Sequence, residues 1–126
     1  MKNMASELSR PGLQLVRQSD VPFTAMGPGM EGSRGLTQAG FTSLGGGWVR
    51  MDGSEEMKGW TLKYDEVLFV VRGEAEVEDA DGKKVVAAPG EAILIGAGTT
   101  VTYRAKPDTE VFFVLNPRDW DKRPAG

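Results

Sequence analysis

The chain has 126 residues, 40% of them hydrophobic, with 17 glycines, 7 prolines and a formal net charge of −3. That length holds one domain around a single core, and the glycines and prolines imply frequent turns. The acidic balance argues against nucleic acid or an anionic membrane as partner, and the lack of cysteine removes disulfides, thiolate metal sites and a cysteine nucleophile.

Residues 1–12 are polar and without period, and are expected to be a flexible arm. They include Lys2 but no apolar run fit for a signal peptide. Nowhere do about 18 apolar residues run together, so a cytoplasmic protein that does not enter a membrane is expected. Residues 13–17 (LQLVR) alternate weakly and read as a first strand, with residues 21–25 as another. The glycine-rich stretch 27–35 (GPGMEGSRG) reads as a loop. A plain connection is favoured over a flexible lid, since most such loops carry no chemistry of their own. Residues 36–44 read as a strand, and so do residues 48–52 after Gly45, Gly46 and Gly47. This triple glycine lacks the GxxxxGK[ST] spacing of a phosphate loop and precedes a strand, so it marks a bulge or a close backbone approach. Residues 53–59 form a charged turn with Glu55, Glu56 and Lys58.

Residues 60–77 (WTLKYDEVLFVVRGEAEV) carry the clearest pattern. Leu62, Tyr64, Glu66 and Leu68 fall on one face by the period of two, with Thr61, Lys63 and Asp65 on the other. Glu66 therefore opens a buried strand, an expensive place for a carboxylate. After Arg72 and Gly73, Glu74, Glu76 and Glu78 alternate with Ala75 and Val77, which predicts a strand with a solvated acidic face. Asp81-Gly82 suits a hairpin turn. Residues 84–88 return as a strand, residues 92–95 read as a buried strand, and Val101, Tyr103 and Ala105 share one face of the next. Residues 110–115 (EVFFVL) make a last buried strand, followed by a tail in which Trp120 is the anchor. Short strands with turns about every ten residues and no amphipathic helix predict an all-β sandwich or barrel.

Two motifs carry a resemblance. Glu66, six intervening residues and Gly73 resemble the acidic end of the first cupin motif, and residues 90–98 (GEAILIGAG) resemble the second, with Gly96 where proline is usual. Within cupins, W-T-L-x-Y-D-E at residues 60–66 and N-P-x-x-W at residues 116–120 are similar to the ethanolamine-utilization Q family. The resemblance implies a double-stranded β-helix (jelly roll) over residues 13–120 with a tail at 121–126, and a homodimer, since cupins often lend a strand to a neighbour.

The resemblance also raises the question of a metal, because metal-dependent cupins hold an ion with three histidines and the glutamate. This chain has no histidine. The family's spacing puts Gly59 and Thr61, or Trp60 and Leu62, and then Val101, at the histidine places. One carboxylate does not hold a transition ion, and Asp65 lies on the wrong face to help Glu66 bind Mg²⁺ or Ca²⁺, so no metal site is expected. The expected site is instead a small-molecule pocket in which Glu66, Tyr64 and Tyr103 do the chemistry and Trp48, Arg50, Trp60 and Arg104 bind the ligand. Burial should raise the pKa of Glu66 and suit it to general acid or base work. The bland alternative pairs Glu66 with Tyr64, Arg50 or Arg104 as a satisfied polar cluster. Three functions stay open. The resemblance implies acetate kinase activity, with Lys63, Arg50, Arg72 or Arg104 meeting the phosphates; no cofactor is expected, and Mg²⁺ with ATP enters only under this reading. The alternatives are a non-catalytic binding module and a metal-free isomerase or epimerase.

Overall fold

A computed structural model of the chain describes residues 12–122, in which ten strands form two antiparallel sheets facing each other across one core. The strands are β1 (Thr24–Gly27), β2 (Met30–Ser33), β3 (Gly45–Met51), β4 (Met57–Thr61), β5 (Asp65–Arg72), β6 (Ala75–Asp79), β7 (Lys84–Ala87), β8 (Ala92–Ile95), β9 (Thr100–Ala105) and β10 (Thr109–Asn116). The larger sheet has the order β1-β2-β3-β10-β5-β8, the smaller β4-β9-β6-β7. From β3 onward the chain changes sheet at nearly every turn, which is the expected jelly roll. The arm expected over residues 1–12 lies, apart from Gly12, outside the described residues.

The period of two sets the inner faces. Glu66, Leu68 and Val70 point inward from β5, and Val111, Phe113 and Leu115 from β10. Register aligns Val111 with Val49 and Val70, Phe113 with Gly47 and Leu68, and Leu115 with Gly45 and Glu66. Each large side chain buried in these rows stabilises the fold by about 1.5–3 kcal/mol. The triple glycine is itself the start of β3 and is a place of close approach. Gly46 and Gly47 have φ of 124° and 156°, and a methyl group on them would overlap the carbonyl oxygens of Phe113 and Ser33.

On the outer face of the larger sheet, Arg50, Glu110 and Arg72 stand side by side across β3, β10 and β5. Arg50 Nε and Arg72 Nη1 donate to Glu110 Oε1 at 3.2 and 3.1 Å, and Gln18 Nε2 donates to Oε2 at 3.1 Å. The Arg50 guanidinium also stacks 3.9 Å over the Phe23 ring. This row ties the N-terminal segment to the sheet. Glu110 is buried and its two arginines are half exposed, so Glu110→Ala should destabilise the chain by about 2 kcal/mol in urea denaturation. An unchanged midpoint would mean that the segment is held by something else.

The N-terminal third departs most from expectation. Residues 13–17 form no strand. Leu13 is 93% exposed, and the segment runs into a 3₁₀ turn at Gln18–Asp20. The strand expected at 21–25 is shifted to β1. Residues 27–35 are no loop, because β1 and β2 pair as a hairpin with Gly29, φ 63°, between them. Residues 36–44 begin as a helix, α1 (Gly35–Ala39), which ends at left-handed Gly40. Five helical residues are too few to print a period on the sequence. Residues 53–59 are a turn only as far as β4, which begins at Met57.

Two later expectations also change. Strand β8 is a sheet edge with Ile93 and Ile95 inward and Leu94 79% exposed, so it is buried on one face only. Glu76 and Glu78 are half-buried rather than solvated. Arg104 Nη1 donates to each at 2.7 Å, and Arg104 also pairs with Glu56.

Candidate functional site

Between the sheets lies a cavity of about 440 Å³ that Glu66, Tyr103, Tyr64 and Trp60 all line. Strand β5 places Glu66 in a row with Ile95 and Leu115, where it is 5% exposed. Those neighbours desolvate the carboxyl and push its pKa up to about 7, against the opposing pull of its hydrogen bond from Tyr103. Tyr103 comes from β9 in the other sheet and donates to Glu66 Oε1 at 2.8 Å. Burial, then the charge of Glu66, pushes the Tyr103 phenol far above its ordinary value, so it keeps its proton. Tyr103 is the one side-chain hydrogen-bond partner of Glu66 among the described residues.

Tyr64 faces the same cavity but bonds elsewhere. Its hydroxyl accepts from Trp60 Nε1 at 2.9 Å, and burial followed by the charge of Glu66 pushes its pKa up to about 12. Trp120 closes this wall. Its ring lies 5.0 Å from that of Tyr64 and 6.0 Å from that of Trp60, edge-on to the latter. The anchor expected of the C-terminal tail is therefore also part of the site.

Of the residues expected to bind a ligand, Trp60 lines the cavity, whereas Trp48, Arg50 and Arg104 do not. Trp48 and Arg50 point outward from β3. Trp48 packs on Phe112 at 5.0 Å, and Arg50 is held in the Glu110 row. Arg104 neighbours inward Tyr103 and so faces out, into the cluster of Glu56, Glu76 and Glu78. Nor does Glu66 pair with Tyr64, Arg50 or Arg104. The cavity's cations are instead Arg34, exposed, and Arg118, half-buried. The charge of Arg34 reaches Tyr64, and Arg118 Nε donates to the Thr42 carbonyl at 3.2 Å. Arg118 lies inside the N-P-x-x-W motif, which was the available signal for it. Arg34 sits in the glycine-rich stretch and carried none.

The metal expected of many cupins does not fit these side chains. Trp60, Leu62 and Val101, at the expected ligand places, are buried or half-buried and supply no ligand atom, while Gly59 and Thr61 face solvent. Among the described residues no three of His, Cys, Asp and Glu converge. Asp65 points away from Glu66 and accepts the Ala97 N–H at 2.9 Å. Among these residues, too, no helix is long and apolar enough to cross a membrane.

Comparison with known proteins places this geometry. The family model for ethanolamine utilisation protein EutQ matches residues 32–122. Acetate kinase EutQ of Clostridioides difficile (strain 630) is 35% identical over 77 residues, which are 61% of this chain and 47% of that protein. Its Salmonella typhimurium counterpart is 26% identical over 85 residues, 68% of this chain and 36% of that one. The chain thus spans less than half the length of these curated relatives. Among solved structures, KdgF from Halomonas sp. superposes with a TM-score of 0.72 at 23% identity, over 87% of this chain and 100% of that one. The Clostridium difficile EutQ protein superposes with a TM-score of 0.64 at 24% identity, over 88% of this chain and 80% of that one. An RmlC-like cupin from Shewanella frigidimarina superposes with a TM-score of 0.69 at 16% identity, over 86% of this chain and 94% of that one. With its jelly roll and the matched residues 32–122, the chain belongs to the ethanolamine utilisation protein EutQ family and has the cupin fold.

Proposed function

We propose that the chain binds a small organic anion in this cavity and exchanges a proton with it through Glu66. One observation carries the proposal: Glu66 is buried in a cavity wall and held by a single phenol on Oε1, which leaves Oε2 for a ligand. With its pKa near 7, the carboxyl is a donor in half the molecules and an acceptor in the rest at neutral pH, the balance that general acid–base work needs. Tyr103 bonds to Oε1 in either state and so fixes the carboxyl's orientation. Arg34 and Arg118 supply the countercharge for an anion.

Phosphoryl transfer between ATP and acetate is the second reading, favoured by the names of the curated relatives. It would bring Mg²⁺ with the nucleotide, and Arg34 and Arg118 are the cavity cations that would meet its phosphates. Thermal unfolding tests the first proposal. Organic acids should raise the melting midpoint by about 4 °C or more and their amides should not, and Arg34→Ala with Arg118→Ala should erase the difference. Equal shifts from acids and amides would sink it. Trapping acetyl phosphate with hydroxylamine, in acetate, ATP and Mg²⁺, decides the second reading. Binding without turnover of any acid would leave a binding module.

A further inference from the structure

Two features of the cavity bear on the kind of acid it takes: its size and the different burial of its polar groups. At about 440 Å³ it has room for about fifteen waters. Acetate or acetyl phosphate would displace only a few of them and leave the apolar walls wet. Those walls are unusual in composition. Four of the chain's six methionines, Met26, Met30, Met51 and Met57, line the cavity. The sulfurs of Met30 and Met57 converge over Gly27, 3.8 and 3.6 Å from where a side chain there would begin. Thioethers are polarisable, adapt to irregular shapes and contact aromatic rings favourably. Trp60, Tyr64 and Trp120 supply a second, aromatic wall.

The polar groups sit at two levels. Glu66 and Tyr103 are buried, at 5% and 8% exposure, whereas Arg34 is exposed and Arg118 half-buried; Asp121, also exposed, is the one acid at this outer level, against two arginines. Apolar side chains, among them Val49, Leu68 and Phe113, make up much of the remaining lining. A ligand matched to this layout has an anionic group at one end, a hydrophobic body, and a hydrogen-bonding group at the other end.

We infer that the cavity takes ring-bearing organic acids, with the carboxylate at Arg34 and Arg118, the ring between the methionine and aromatic walls, and a far hydroxyl or oxo group at Glu66 Oε2. This rests on the anion proposal above and narrows it to a ligand class much larger than the two-carbon acids. The ring contributes the apolar burial that short acids lack, and the far polar group meets the Glu66 oxygen that the Tyr103 hydrogen bond does not use.

Isothermal titration of the full chain with six probes tests the inference. The ring acids are 3-(4-hydroxyphenyl)propanoate, 4-hydroxybenzoate and 4-oxocyclohexanecarboxylate, and the controls are 3-phenylpropanoate, acetate and acetyl phosphate. At least one ring acid bearing a far polar group should bind tenfold or more tighter than acetate or acetyl phosphate. 3-(4-Hydroxyphenyl)propanoate should bind several-fold tighter than 3-phenylpropanoate. Met57→Trp, which adds bulk to the methionine wall, should weaken the ring acids at least tenfold and acetate far less. Acetate or acetyl phosphate binding as tightly as the ring acids would overturn the ligand class while leaving the anion proposal standing. No binding by any of the six at millimolar concentration would overturn both.

Discussion

Glu66→Gln should abolish a loss of stability that the native chain suffers as pH rises from about 4.5 to about 7. Unfolded, this glutamate ionises near its ordinary value of 4.5, but burial holds it protonated in the fold up to about 7. Between those values the folded chain keeps a proton that the unfolded chain has released, so stability falls as pH increases. The stabilisation is complete below about 4.5 and has gone above about 7, a difference of about 3 kcal/mol. Glutamine cannot ionise, yet its Oε1 still accepts from Tyr103. The variant should therefore match the native chain near pH 4 and exceed its stability by about 3 kcal/mol near pH 8. Asp52 and Glu56 are shifted the other way by hydrogen bonds from Ser54 and Arg104, so their contributions fade only at lower pH and do not enter this window. Urea midpoints measured across the range for both chains give the difference curve. Parallel curves would show that Glu66 is not buried as described. A raised cost at working pH is what a group retained for chemistry rather than for folding entails.

Gly47→Ala, like Gly46→Ala, should be severely damaging. At φ 156° the added Cβ would overlap the Ser33 carbonyl oxygen on neighbouring β2, backbone that cannot swing aside. Ser33 is fully buried, and its hydroxyl donates to the Val21 carbonyl at 2.7 Å, so moving β2 disturbs a second attachment. A loss of about 3 kcal/mol or more is expected, read as a lower urea midpoint or as insoluble protein. Gly82→Ala is the matched control. Gly82 also has positive φ, at 86°, but its Cβ would meet nothing within 4 Å, so the cost should be about 1 kcal/mol. If the two variants were equally stable, the contact of β3 with β2 would not be as tight as described.

Residues from β5 to β10 were legible because alternation or a short apolar run marks most strands, and a glycine or Pro107-Asp108 marks each turn between them. The first third was not. Strands β1 and β2 are four residues each, α1 is a single turn, and the triple glycine offers no side chains from which to read a face. The same contrast governs the site. Parity placed Tyr64 and Glu66 inside, and Tyr103 with Val101 at the cupin ligand place, but parity within a strand is silent about which element stands across the barrel. Tyr103, rather than adjacent Tyr64, therefore holds the carboxyl. Parity also spoke against Arg104, one residue from inward Tyr103. Arg34 and Arg118 lie outside any strand, where no alternation reports a direction.

The grouping of Trp60, Tyr64 and Trp120 gives the chain an intrinsic optical reporter. Two of its three indoles border the cavity, and the third, Trp48, sits on the opposite side of β3 against Phe112. A ligand entering the cavity changes the solvent around the first two and leaves the third as a constant background. Emission wavelength and quenching by iodide can therefore follow occupancy in unlabelled protein, and a Trp48→Phe variant removes the background.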